Sequence, residues 1–159
     1  MFKETGAYFV VKKIRLVHSF LGLDTNRVKA IKKEIDMYKT LKHENIVEYY
    51  GCEVIENNTM CIYLEYMPGG SIADRYKRFS SNIDEKICRL YTLQILNALH
   101  YLHSRDIVHG DLKGANVLLS KDGEKVKLCD LGNARQLESS FSSINTVVNG
   151  TLAWMAPEA

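Results

Sequence analysis

The pattern of apolar residues changes period at Pro68-Gly69-Gly70, a tripeptide that breaks both helix and strand. On its N-terminal side, short runs rich in β-branched and aromatic residues predict three strands, over Ala7 to Leu16, Ile46 to Val54 and Met60 to Tyr66. Asn57-Asn58 predicts the turn between the last two. Between the first and second strands, Val28, Ile31, Ile35, Tyr38 and Leu41 recur at helical spacing, with Thr25 or Asn26 placed to cap the helix. On the C-terminal side, Ser71 is placed to cap a short helix, and a long helix is predicted from about Asp84 to His103. Its apolar stripe is Ile87, Leu90, Tyr91, Ile95, Ala98, Leu99 and Leu102. Two short strands follow, Val117 to Leu119 and Val126 to Cys129, turning at Lys121-Asp122-Gly123, and the Ser-, Asn- and Gly-rich stretch from Leu131 onward predicts a mobile loop. A sheet-rich first part and a helix-rich second part define an α+β chain, with a boundary that separates 1–67 from 68–159.

The chain has 159 residues and a formal net charge of +2, which gives no reason to expect nucleic acid or an anionic membrane as partner. Its apolar runs are too short to span a bilayer, so no membrane insertion is expected. Met1-Phe2-Lys3-Glu4-Thr5 lacks the apolar stretch of a secretory signal. Cys52, Cys61, Cys88 and Cys129 show no CxxC spacing, and reduced thiols in a cytoplasmic protein are the expectation.

The densest chemical signal lies between Ile107 and Leu119, where Asp111, Lys113 and Asn116 sit in a polar loop between a helix and a strand. Phosphoryl transfer needs a carboxylate near the attacking hydroxyl, a cation near the transferring group, and an oxygen ligand for Mg²⁺. This loop offers all three, although an Asn-stabilised turn would look similar. Asp130-Leu131-Gly132 closes the last apolar run. An Asp there can hold a divalent ion, or simply start a turn. Cys129 beside it reads as a small buried hydrophobe.

Taken together these motifs resemble the protein kinase signature set, and the resemblance covers essentially the whole chain. His109-Gly110-Asp111 is similar to HRD, Asp130-Leu131-Gly132 to DFG, and Ala156-Pro157-Glu158 is APE. Lys113, and Gly150-Thr151 ahead of Trp154, resemble the serine/threonine branch. The resemblance implies an α+β bilobal kinase fold, ATP and Mg²⁺ as cofactors, Asp111 and Lys113 as catalytic residues, and Asn116 and Asp130 as metal ligands. Phe9-Val10-Val11-Lys12 resembles the VAIK strand, which makes Lys12 the partner of the α- and β-phosphates and Glu34 the helix residue that orients it. Val10, Leu64, Glu65, Met67 and Leu118 are implied at the adenine, with Leu64 as gatekeeper and Glu65-Tyr66-Met67 as hinge. His43-Glu44-Asn45-Ile46-Val47 and Tyr66-Met67-Pro68-Gly69-Gly70-Ser71 are similar to the MAP kinase kinase kinase group, which implies a protein substrate of the MAP kinase kinase class.

Several positions depart from the family pattern. No GxGxxG loop precedes the lysine strand, and the chain stops just after APE, so the fold is expected to be incomplete at both ends. Gly110 stands where the family has arginine, Leu131 where it has phenylalanine, and Val10 where it has alanine. Ser139, Ser140, Ser142, Ser143 and Thr146 are candidate phosphorylation sites, with Arg135 the nearby cation, while Thr151 is expected to lie against the catalytic loop. Two rival readings remain: a catalytically weak or inactive nucleotide-binding module of the pseudokinase kind, and a small-molecule kinase, which shares HGD with Asn five residues on. Retention of Lys12, Glu34, Asp111, Asn116 and Asp130 speaks against the first, and Lys113 with the Gly150–Glu158 segment speaks against the second.

Overall fold

The computed structural model describes residues 8–16, 18–19, 22–23, 25–56, 58–79, 84–137 and 150–156. They divide into two compact units, Met1–Lys42 with Val47–Tyr66, and His43–Ile46 with Met67–Ala159.

The first unit opens with strand β1 (Phe9–Arg15), followed by the short pair β2 (His18–Ser19) and β3 (Gly22–Leu23), helix α1 (Thr25–Thr40), and strands β4 (Tyr49–Ile55) and β5 (Thr59–Glu65). β5 lies between β1 and β4, antiparallel to both. The register sets Val10 opposite Leu64 and Lys12 opposite Ile62. Asn58, in the β4–β5 turn, takes a positive φ of 51°, a conformation Asn tolerates better than most residues. α1 buries Ile31, Ile35 and Tyr38 of the predicted stripe, and Leu41, just past the helix end, is buried too, while Val28 is half-buried. The Tyr38 ring stacks on Tyr49 of β4 with centroids 6.1 Å apart, which seats the helix on the sheet. The second predicted strand begins later than expected, at Tyr49 rather than Ile46.

The second unit contains helices α2 (Ile72–Phe79) and α3 (Glu85–His103), strand β6 (Ile107–Val108), the hairpin β7 (Val117–Leu119) and β8 (Val126–Leu128), and strand β9 (Arg135–Gln136). Ser71 caps α2 reciprocally: its Oγ accepts from the Asp74 N–H at 3.0 Å, and its own N–H donates to Asp74 Oδ2 at 3.2 Å. Asp84 is the N-cap of α3, its Oδ1 accepting from the Lys86 N–H at 2.9 Å. Tyr91, Ala98 and Leu102 turn inward from α3 and share the core with Ile107, Val117, Leu119, Val126, Leu128 and Leu131. Burying one such aliphatic side chain is worth about 1.5–3 kcal/mol.

Two expectations for this unit are corrected. Leu90 is 42% exposed, and Leu93 and Leu96 are exposed as well, because the core-facing stripe of α3 runs through Tyr91, Ala98 and Leu102, about a quarter-turn from Leu90. The stretch after Asp130 does not begin as a loose loop. Leu131 is 1% exposed, and β9 pairs antiparallel with β6, setting Val108 opposite Arg135. Backbone pairing and one buried leucine outweigh a turn-rich composition there. Residues 138–149, with the candidate phosphorylation sites, and Pro157-Glu158 lie outside the described residues.

Candidate active site

Strand β6 delivers the chain to His109, which is 1% exposed. Its Nε2 lies 3.0 Å from the Cys129 carbonyl oxygen, and its Nδ1 accepts the Asp111 N–H at 3.3 Å. A carbonyl only accepts and an amide N–H only donates, so these partners fix the neutral tautomer with its proton on Nε2. Burial lowers the His109 pKa, against the opposing pull of the Cys129 carbonyl and the carboxylates of Asp111 and Asp130. The ring thus ties the loop that carries Asp111 to the strand end that carries Asp130.

Asp111 is buried, 7% exposed, and both its carboxylate oxygens are engaged. Lys113 Nζ donates to Oδ2 at 2.7 Å, and the Thr151 hydroxyl donates to Oδ1 at 2.6 Å. Lys113 Nζ also donates to Thr151 Oγ1 at 2.6 Å, closing a three-membered ring of side chains. Asn116 Nδ2 donates to the Asp111 carbonyl at 2.8 Å and to Oδ2 at 3.1 Å. Burial pushes the Asp111 pKa upward, but the hydrogen bonds from Lys113 and Thr151, the Lys113 charge and the Asn116 amide outweigh it and hold the group at about 2. The carboxylate is therefore ionised throughout the neutral range.

Asn116 ends a single 3₁₀ turn (Gly114–Asn116) that leads into β7. The β7–β8 hairpin brings the chain back beside it, with the Cys129 N–H donating to the Asn116 carbonyl at 2.9 Å. Asp130 comes next, at a positive φ of 61°. Such a conformation costs a non-glycine residue on the order of 1 kcal/mol and is enriched at functional sites. Cys129 itself is half-buried rather than enclosed.

In the first unit, Lys12 Nζ donates to Glu34 Oε1 at 2.7 Å, joining β1 to α1. Glu34 is buried, 8% exposed. Val10 is exposed and Leu64 is buried. Glu65 ends β5, its N–H donating to the Glu48 carbonyl at 2.9 Å and its Oε2 accepting from the Glu48 N–H at 3.0 Å. In the second unit, Met67 is buried, and Leu118 lies in β7 opposite Lys127 and bridges to Ser71. The structure thus brings together Asp111, Lys113 and Asn116, adds Thr151, and separately pairs Lys12 with Glu34.

Sequence reasoning overlooked the linking role of His109. Its signal was a histidine between an apolar strand and a carboxylate, a position where only partners can justify burial.

The protein kinase domain family profile matches residues 1–159. Mitogen-activated protein kinase kinase kinase 3 of Homo sapiens is 44% identical over 137 residues, 84% of this chain and 22% of that protein. Mitogen-activated protein kinase kinase kinase A of Dictyostelium discoideum is 37% identical over 159 residues, 98% of this chain and 16% of that protein. Cell division control protein 7 of Schizosaccharomyces pombe is 41% identical over 155 residues, 98% of this chain and 14% of that protein. The chain thus spans less than a quarter of the length of these curated relatives.

Proposed function

Because the chain belongs to the protein kinase domain family, we propose that the protein is a serine/threonine kinase that transfers the γ-phosphoryl group of ATP to a protein hydroxyl, in a MAP kinase kinase kinase-like role. The observation that carries this reading is the closed ring of Asp111, Lys113 and Thr151, braced by Asn116. A carboxylate held at about 2 is a weak base, so Asp111 acts first by orienting the substrate hydroxyl as a hydrogen-bond acceptor. The proton passes to it late, once the oxygen has begun to bond to phosphorus. Lys113 places its ammonium where charge develops on the transferring group.

Protein kinases generally use ATP with Mg²⁺, and the donors here suit a hard cation. The Asn116 amide nitrogen is spent on Asp111, so the polar atom that amide has left to offer is its oxygen, and Asp130 follows a residue hydrogen-bonded to the Asn116 backbone. We assign Asn116 and Asp130 as the Mg²⁺ ligands. Bound there, the ion would neutralise phosphate charge. Lys12, held by Glu34, is assigned to the α- and β-phosphates; Val10, Leu64 and Glu65 of the first unit, and Met67 and Leu118 of the second, are assigned to the adenine. The names of the relatives suggest a MAP kinase kinase as substrate. No helix among the described residues is long and apolar enough to cross a membrane, and a cytoplasmic location accords with four free cysteines.

The test is phosphate transfer to a protein serine by the full-length gene product and its variants. Asp111→Asn is expected to lower turnover by about 10³-fold or more while nucleotide affinity stays within a few-fold. Near-normal transfer by that variant would exclude the role. Asp130→Ala is expected to make nucleotide affinity insensitive to Mg²⁺; an unchanged Mg²⁺ response would remove Asp130 from the metal site.

A further inference from the structure

Gly110, the residue that departs most from the HRD pattern, sits where the backbone has no room for a side chain. Its φ is +76°, in the left-handed region that favours glycine. A β-carbon there would lie inside the contact distance of the Asn133 carbonyl oxygen and 3.2 Å from the Asn133 carbonyl carbon. Both atoms are backbone, on the stretch between Asp130 and β9, so no rotamer change relieves the overlap. The Gly110 carbonyl is closely approached as well. Gly150 has φ +143°, and a β-carbon on it would come 2.9 Å from the Gly110 carbonyl oxygen and 2.7 Å from the Met155 methyl carbon. The residue after Gly110 is Asp111, and the residue after Gly150 is Thr151, whose hydroxyl meets the Asp111 carboxylate at 2.6 Å.

We infer that Gly110 and Gly150 are positioning residues: their bare backbones let the catalytic loop, the stretch around Asn133 and the segment carrying Thr151 close to contact, and that closure sets the Asp111–Thr151 hydrogen bond. In place of the family's arginine side chain, this protein connects the catalytic loop to the flanking segments by direct backbone packing. Restoring the arginine should therefore impair the enzyme. Bringing a β-carbon at position 110 to ordinary van der Waals distance from Asn133 requires a displacement of roughly 1 Å, and a misplacement of that size costs about 10²-fold in rate.

The inference rests on the kinase reading, and the experiment separates the two. Wild type, Gly110→Ala, Gly110→Arg and Gly123→Ala are compared in phosphate transfer to a protein serine, with turnover normalised to nucleotide-binding sites titrated in each preparation. Gly123 is the matched control. Its φ is also +76°, but the β-carbon would meet the guanidinium end of Arg75, a flexible side chain, rather than backbone. Gly110→Ala and Gly110→Arg are expected to lose about 10²-fold in turnover per site with the KM for ATP within twofold of wild type; Gly123→Ala is expected to stay within about twofold in both. Gly150→Ala crowds the Gly110 carbonyl oxygen instead of the Asn133 carbonyl, and carries the same expectation if the position-110 variants fold poorly. Turnover of Gly110→Ala equal to that of Gly123→Ala, or of Gly110→Arg equal to or above wild type, overturns the inference. Absence of transfer by wild type defeats the kinase reading itself.

Discussion

Asp111 is surrounded by donors on every side that the described residues provide, and this sets how it can act. Lys113 and Thr151 each hold one carboxylate oxygen and also hold each other. The threonine hydroxyl is the piece that a lysine–aspartate pair alone would lack, because it donates to one charge and accepts from the other. Removing it leaves Lys113 and Asp111 paired, with the Asn116 amide as the remaining side-chain hold on the carboxylate and, among the described residues, none on Oδ1. Thr151→Ala is therefore expected to lower turnover by about 10- to 100-fold, the worth of a hydrogen bond to a charged group, while Thr151→Ser, which keeps the hydroxyl, stays within a few-fold of wild type. Steady-state assays of the pair decide it; equal activity of the Ala and Ser variants would reduce Thr151 to a packing residue. Asp111, Lys113 and Asn116 were legible in the sequence because the motif fixes their offsets over six residues. The contact with Thr151 spans 40 positions and was legible only through the family resemblance. For His109 the sequence signalled a partnered histidine, but the partner was not legible, since nothing in a single sequence shows which carbonyl a buried imidazole meets.

At the scale of elements, the short stretch His43–Ile46 shows how a loop can belong to a unit remote in sequence. Asn45 is 5% exposed; its Nδ2 donates to Gln94 Oε1 and to the Val126 carbonyl, each at 3.0 Å. The Leu128 N–H donates to the Asn45 carbonyl at 2.8 Å, and Ile46 forms a parallel bridge with Leu128. The stretch thus lies along β8 as an added strand edge, which is why the predicted strand from Ile46 begins only at Tyr49. His43 starts it. Its Nδ1 accepts the Asn45 N–H at 3.1 Å, and its ring lies 4.8 Å from that of Tyr101, over which Arg105 sits at 3.9 Å. Burial lowers the His43 pKa, Glu44 works against that, and Arg105 and Lys127 reinforce it. A histidine with a lowered folded-state pKa binds more protons unfolded, so stability falls as pH drops below the ordinary value of 6.5 and through the folded pKa. His109, lowered by burial, acts in the same direction. His43→Phe keeps an aromatic ring against Tyr101 without a titrating group. Its urea midpoint is expected to fall less steeply than that of wild type between pH 7 and pH 5; parallel slopes would remove His43 from the linkage. The long helices and the β7–β8 hairpin could be read from periodicity and turn residues. β9 could not, because a two-residue strand is made by its partner rather than by its own composition.

At the scale of the whole molecule, the α+β class was legible because the period of the apolar pattern changes once, and the membership of His43–Ile46 in the second unit was not, because composition carries no information about tertiary partners. Gly110 also bears on regulation of the whole molecule. In kinases with arginine before the catalytic Asp, a phosphate on the segment after the metal-binding Asp is gripped by that arginine, and the charge-assisted hydrogen bonds order the segment. Here position 110 has no side chain to offer, and its surroundings leave no space for one. Arg135, in β9 opposite Val108, is an exposed cation on the nearby strand. Phosphorylation shifts an ordered–disordered equilibrium only by the difference in what the phosphate contacts in the two states, so losing a ligand narrows the range it can impose. Meanwhile, on the inference above, the close approach of Asn133 and Gly150 to Gly110 holds the same junction without any phosphate. Phosphatase treatment of the full-length enzyme is therefore expected to lower its activity by less than about threefold, whereas a loss of 10-fold or more would show that other basic residues replace the missing arginine. The Arg135→Ala variant sharpens the comparison. If the arginine on β9 receives a phosphate, its removal makes the treated and untreated enzymes equal; if the phosphate makes no contact with that arginine, the small difference between them is unchanged.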